Sequence, residues 1–206
     1  MSKQRWVRAY RRIFAVIALL AVVYQFVQLP ADASTVNFFS FFTIQSNLFA
    51  AFVLLWTSGS REGAQPTRVD YIRGAAVLYM CVTGVVYGLL LAGYERELQT
   101  TLPWVNNVLH RVMPLVLVAD WLIVPPTAKL MLRRALAWLA YPLAFAAYSL
   151  VRGPLVNWYP YPFLNPERVG GYGVVALYCV GIAVATFLLS WAVVTVGRHV
   201  QLVFKR

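Results

Sequence analysis

Acidic residues are scarce in this chain. Of 206 residues only seven are Asp or Glu, against 18 Lys and Arg, and charged residues of either sign make up 12%. A soluble domain carries about a quarter charged residues, so a surface that faces water all round is excluded. Two cysteines and two histidines leave little material for disulfide or metal chemistry. Cys81 and Cys179 both fall inside apolar runs, where a thiol serves as a small packing residue. His110 and His199 lie near opposite faces of the apolar zone, which excludes haem ligation by a histidine pair. There is no H-E-x-x-H, no G-x-S-x-G elbow and no G-x-x-x-x-G-K-[ST] loop. Zinc proteolysis, elbow-type serine hydrolysis and phosphate-loop chemistry therefore have no motif to rest on. No internal repeat or interrupted pair of helices appears, which weighs against a secondary transporter. Neither a metal nor a cofactor is expected.

What the chain has in abundance is apolar length. Hydrophobic residues make up 61% and the mean hydropathy is +0.66. Crossing roughly 30 Å of hydrocarbon at 1.5 Å per residue takes about 18–22 apolar residues. Runs of that length occur at about 12–29, 38–57, 73–93, 105–124, 133–151 and 171–196. They are continuous rather than alternating, which excludes a β-barrel. The expected fold is all-α: a polytopic integral membrane protein, one domain over residues 1–206, built as a bundle of six transmembrane helices.

The net charge of +11 is placed at the ends of these runs. Fourteen cations fall on one side: Lys3, Arg5, Arg8, Arg11, Arg12, Arg61, Arg68, Arg73, Lys129, Arg133, Arg134, Arg198, Lys205 and Arg206. Three, Arg96, Arg152 and Arg168, fall on the other. The positive-inside rule then puts both termini in the cytoplasm. Attraction to anionic headgroups accounts for the charge better than nucleic acid does, and no nucleic-acid partner is expected. A basic start before an apolar run, with Ala31-Asp32-Ala33 beyond it, has the form of a secretory signal. The run Ile13 to Leu29 is long for a signal, which favours a retained first helix. The expected location is an integral, multi-pass one, in the plasma (inner) membrane if the source is bacterial.

Two of the six runs carry polar residues at membrane depth. In the second, Ser40, Thr43, Ser46 and Asn47 recur at spacings of three and four, forming one stripe on a helix among Phe and Leu. Such a stripe faces protein rather than lipid. The fourth run holds Asn106, Asn107, His110, Arg111, Pro114 and Asp120 behind an expected first-turn Pro103. Ionisable groups at such depth face a bundle interior or a cavity and often mark function. Counted from the same outer surface, Thr43 is about five residues down and His110 about six, roughly 7–9 Å. Gly84 and Gly88 form a G-x-x-x-G in the third run, a packing motif that is common by chance. The outer loop N-W-Y-P-Y-P-F-L-N-P-E-R-V-G-G brings Trp158, Tyr159, Tyr161 and Phe163 together with three prolines. An interfacial aromatic belt would explain it; so would a rigid lid over the bundle mouth, with those four aromatics against a substrate.

A hydroxyl becomes a useful nucleophile only when a base within hydrogen-bond reach takes its proton, and imidazole is the base best tuned to neutral pH. Matched depth makes Thr43 and His110 such a pair. Each also has a structural alternative: Thr43 bonded back to the Phe39 carbonyl, His110 bridging two helices. Asn47, one turn below Thr43, and Asn106, one turn above His110, are the candidates for oxyanion donor or for holding the imidazole. Asp120 is ten residues below His110, roughly 15 Å along the axis, and is expected to pair with a basic group instead.

Three blocks resemble a known family. They are F-F-T-I around Thr43, Y-E-R-E followed by W-V-N-N-V-L-H-R-V-M-P-L-V-L-V-A-D around His110, and W-Y-P-Y-P-F-L-N-P-E-R-V-G-G. In order and spacing they are similar to the androgen-induced protein / androgen-dependent TFPI-regulating protein family of six-span membrane lipid hydrolases. The resemblance implies hydrolysis of fatty acid esters of hydroxy fatty acids, with Thr43 as nucleophile and His110 as the essential histidine. The chain differs from the animal pattern after Thr43, where Q-S-N replaces a more apolar, acid-containing stretch. The implied partners are a membrane lipid substrate and the bilayer; the oligomeric state is not indicated. A non-enzymatic lipid-binding or carrier protein using the same polar pocket is the alternative.

Overall fold

The computed structural model describes residues 2–59, 66–95 and 102–204. Arg61, Arg96, Glu97, Lys205 and Arg206, which bear on the orientation argument, lie outside the described residues. Among the described residues the chain is helical, without strands. Six helical rods follow one another: α1 Lys3–Val27, α2 Phe42–Ser58, α3 Thr67–Leu91, α4 103–123, α5 Leu132–Val156 and α6 Tyr172–Phe204.

Local chemistry sets several rod ends. The Ser2 hydroxyl accepts from the Arg5 N–H to cap α1, and Pro103 stands in the first turn of α4, where its missing N–H costs nothing. Asn157, in the left-handed conformation at φ 50°, ends α5. The second run departs from expectation. Rather than one helix over 38–57, a short helix Thr35–Phe39 stops, Phe41 is extended (ψ 130°), and α2 starts afresh at Phe42. The Ser40 hydroxyl bonds back to the Val36 carbonyl, and the Gln45 side chain bonds the Phe39 carbonyl, so side chains satisfy the interrupted turn.

Four rods, Lys3–Val27, Thr67–Leu91, Leu132–Val156 and Tyr172–Val203, are long and apolar enough to cross a membrane. Of these α3 is the central one: 61% of its most apolar window is buried, against 33% for α1, 17% for α5 and 22% for α6. It contacts α2, α4 and α6. The outward faces of α5 and α6 carry Leu143, Val151, Leu155, Leu177, Val180 and Leu188, all exposed. Apolar side chains turned outward over whole rods are what a bilayer accepts and water does not. α1 lies along α2, where fully buried Ala15, Ala18 and Ala21 on one rod and Ala50 and Ala51 on the other permit close approach. The two remaining rods are α2, with 17 residues, and α4, with its polar residues.

At the end of the bundle where the chain begins, Asp120 of α4 is held between two arginines. Arg11 donates to both carboxylate oxygens, at 2.6 and 3.1 Å, and to the Thr57 carbonyl at 3.0 Å. Arg73 donates at 2.9 Å to Asp120 and at 2.6 Å to the Val124 carbonyl. Asp70 accepts from Thr127 and Ala128, closing the α4–α5 connection onto α3. The basic partner expected for Asp120 is thus Arg11 together with Arg73. Both belong to the set of fourteen cations on one side, yet they are buried, at 3% and 2% exposure; an unpaired carboxylate in this interior would cost more than the two lose in leaving the surface.

Asp120→Ala leaves Arg11 buried without a carboxylate and Arg73 with only Asp70, 3.6 Å away, and should destabilise the protein by about 3–5 kcal/mol. Arg11→Met, which leaves Asp120 paired with Arg73, should cost clearly less. Thermal unfolding of the two variants in detergent checks the order.

Candidate active site

Thr43 is the second residue of α2, so its position is a consequence of the break at Ser40–Phe41. The N-cap residue, Phe41, has no side-chain acceptor for the first-turn N–H groups, which need partners from elsewhere. The Tyr161 hydroxyl supplies one, accepting from the Thr43 N–H at 3.3 Å. The break takes the Phe39 carbonyl out of the i−4 register of Thr43, and that carbonyl accepts from the Gln45 side chain instead, so the back-bonded alternative for Thr43 does not occur.

His110 sits in a π-helical turn, Val108–Val112, in the middle of α4. The cause is four residues on. Pro114 has no N–H to give the His110 carbonyl, and its ring would clash with that carbonyl in a regular α-helix. One extra residue in the preceding turn relieves the conflict, with the Met113 N–H reaching back five residues to Val108. Gly84 of α3 accommodates the result: a Cβ there would lie 3.2 Å from Pro114 and 3.4 Å from the His110 carbonyl. Gly88, its partner in the G-x-x-x-G, has nothing within 4 Å. A second π-turn, Tyr87–Leu91, lies on α3, and the Tyr87 ring stacks on the imidazole with centroids 4.2 Å apart.

These irregularities bring the two residues together. Thr43 Oγ1 lies 3.2 Å from His110 Nε2, and His110 Nδ1 lies 3.1 Å from the Asn106 carbonyl oxygen. A carbonyl can only accept, so Nδ1 carries a proton. In the neutral ring Nε2 is then the acceptor, and the Thr43 hydroxyl donates to it. Asn106 therefore holds the imidazole through its main chain. Its side-chain amide donates to the Tyr87 hydroxyl at 2.6 Å, which donates to Glu95 at 3.0 Å. The Gly93 N–H first, then the backbone N–H of Glu95 itself and the Tyr87 hydroxyl, keep the half-buried Glu95 carboxyl below the usual carboxylate range. The Asn47 amide, one of the two candidates for oxyanion donor or imidazole holder, donates to the Thr43 carbonyl at 2.9 Å and the Leu109 carbonyl at 3.1 Å, tying α2 to α4.

Thr43 also lines a cavity of about 110 Å³ between α3, α5, α6 and the loop after α5. Its walls are apolar: Val82, Val86, Leu143, Phe145, Phe163 and Ile182 among them. Two further threonines reach it, but Thr83 and Thr186 bond back to Tyr79 and Ile182 of their own helices. Of the three, only Thr43 turns its hydroxyl to a base.

Of the four loop aromatics, Tyr161 and Phe163 line the cavity, stacked on each other. Trp158 packs on Phe41 behind them and under the Arg152 guanidinium. Arg152 donates to Asn37 at 2.7 Å. Tyr159 does not reach the cavity; it packs against Gly153, where any Cβ would overlap its ring. Ser40 bonds Tyr148, and Ser46 is fully buried without reaching the Thr43–His110 pair. Tyr87 had no role from sequence, although its place between the two glycines of the G-x-x-x-G was a signal. No group of metal-ligating side chains occurs among the described residues.

No family model, curated protein or solved structure matches this chain.

Asn47→Ala leaves two buried carbonyls short of a donor and should cost about 1–2 kcal/mol. Denaturant unfolding in mixed micelles measures it.

Proposed function

We propose that all six rods cross the bilayer with both termini cytoplasmic, and that the chain is an intramembrane hydrolase of lipid esters with Thr43 as nucleophile and His110 as its base. The family resemblance points to fatty acid esters of hydroxy fatty acids as the substrate. The observation that carries the reading is the 3.2 Å contact between Thr43 Oγ1 and an Nε2 whose proton-accepting form is fixed by Asn106, at the wall of an apolar cavity. In this reading an acyl chain lies in the cavity with its ester at Thr43. His110 Nε2 takes the hydroxyl proton as Oγ1 bonds the carbonyl carbon. The tetrahedral oxyanion is met by the Tyr161 hydroxyl and by first-turn N–H groups of α2, whose positive helix end favours the charge. Collapse breaks the ester C–O bond, and the leaving hydroxy fatty acid takes the proton from His110. Water, deprotonated at the same nitrogen, then attacks the acyl carbon; the C–Oγ1 bond breaks, His110 returns that proton to Oγ1, and the first acid is released.

The apolar cavity walls also suit a carrier that holds lipid without cleaving it. A fluorophosphonate probe separates the two, because it labels Thr43 only in the hydrolase.

With a long-chain ester of a hydroxy fatty acid, Thr43→Ala and His110→Ala should each lower kcat/KM by several orders of magnitude. Undiminished turnover in both would overturn the reading. Tyr161→Phe should lower kcat by about 10²-fold with little change in KM, the pattern of an interaction made only in the transition state.

A further inference from the structure

At the opposite end of the bundle from Thr43 lies a second, open groove of about 560 Å³. Thr67, Arg68, Tyr71, Ile72 and Ala75 of α3 form one wall, and Arg134, Ala137 and Trp138 of α5 the other, with Phe49 of α2 at the floor. On α3 these positions recur at helical spacing along a single face, and so do those on α5. Each wall begins with an arginine at the rod end and becomes apolar and aromatic inward. From Arg68 to Ala75 the face descends seven residues, roughly 10 Å. Both guanidiniums are exposed. The acid adjacent in sequence, Asp70, is turned away and engaged with Thr127 and Ala128. No carboxylate lines the groove among the described residues.

We infer that this groove binds an anionic phospholipid, its phosphate held between Arg68 and Arg134 and its acyl chains lying over Tyr71, Ile72, Ala75 and Trp138 toward Phe49. Guanidiniums on two walls suit a phosphate because each can give it two parallel N–H bonds. The polarity gradient along the groove is that of the lipid: charge at the rim, hydrocarbon below. A free anion has no use for the apolar depth, and a neutral lipid has none for the paired arginines. The site is independent of the hydrolytic reading and uses none of its residues.

The test uses the full chain in detergent, titrated with dioleoyl phosphatidylglycerol or dioleoyl phosphatidylcholine and followed by native mass spectrometry and by Tm. The anionic lipid should bind more tightly and raise Tm more. Arg68→Gln and Arg134→Gln should each weaken it about fivefold, and leave the neutral lipid unchanged. Arg133→Gln removes a neighbouring exposed cation outside the groove and should have little effect. Ala137→Trp, at an exposed position, fills the groove and should weaken both lipids while the arginines remain. Equal losses for Arg133→Gln and Arg134→Gln would reduce the effect to diffuse surface charge and overturn the inference. So would phosphatidylglycerol binding that survives the Arg68→Gln/Arg134→Gln double variant, or inorganic phosphate raising Tm as much as the lipid does.

Discussion

Asp120 is the point on which the bundle depends. A carboxylate in an apolar interior is tolerable only with its charge matched and its oxygens bonded. Meeting that requirement draws Arg11 of α1 and Arg73 of α3 onto α4, and Arg11 brings the Thr57 carbonyl of α2 with it. Four rods are thereby joined at one end by directional bonds rather than by apolar contact alone. Apolar contact between helices does little to fix register where the surroundings are also apolar, so polar ties of this kind do much of the specifying.

The other end is irregular where the first is fixed. The break at Ser40–Phe41 and the π-turns at Val108–Val112 and Tyr87–Leu91 all border Thr43 and His110. Each irregularity has a local cause or a local substitute for the lost backbone bonds. Pro114 forces the turn that carries His110, Gly84 gives it room, and Gln45 and Tyr161 satisfy groups exposed by the break. Regular helices would put Thr43 under the Phe39 carbonyl and leave the imidazole in a different rotation. The proposed chemistry therefore stands on departures from ideal helix geometry, in keeping with the tendency of π-turns to occur at functional sites.

The two ends present different surfaces to a lipid. Near Thr43 there is an apolar cavity with one hydroxyl directed to a base; at the other end there is a groove rimmed by arginines. The first suits the proposed cleavage of an ester, the second a charged headgroup. That division follows the cation asymmetry of the sequence, because the arginines cluster at the end where the chain begins.

Residue spacing by itself determined the helical class and the apolar runs, and it put Thr43 and His110 near one level by counting rise along a continuous helix, although the second run in fact breaks at Ser40–Phe41. It also marked Asp120 as too deep to join that pair and in need of a cation. What spacing cannot express is rotation about each axis and the choice among partners at one level. Only the packed bundle decided that Asn106 acts through its carbonyl while Asn47 spends its amide on two backbone oxygens, and that Tyr161 rather than Tyr159 meets the helix start. The same packing turned Arg11 and Arg73 inward, because the cost of an unmatched carboxylate on a neighbouring rod outweighed their preference for the surface, a balance no single segment contains.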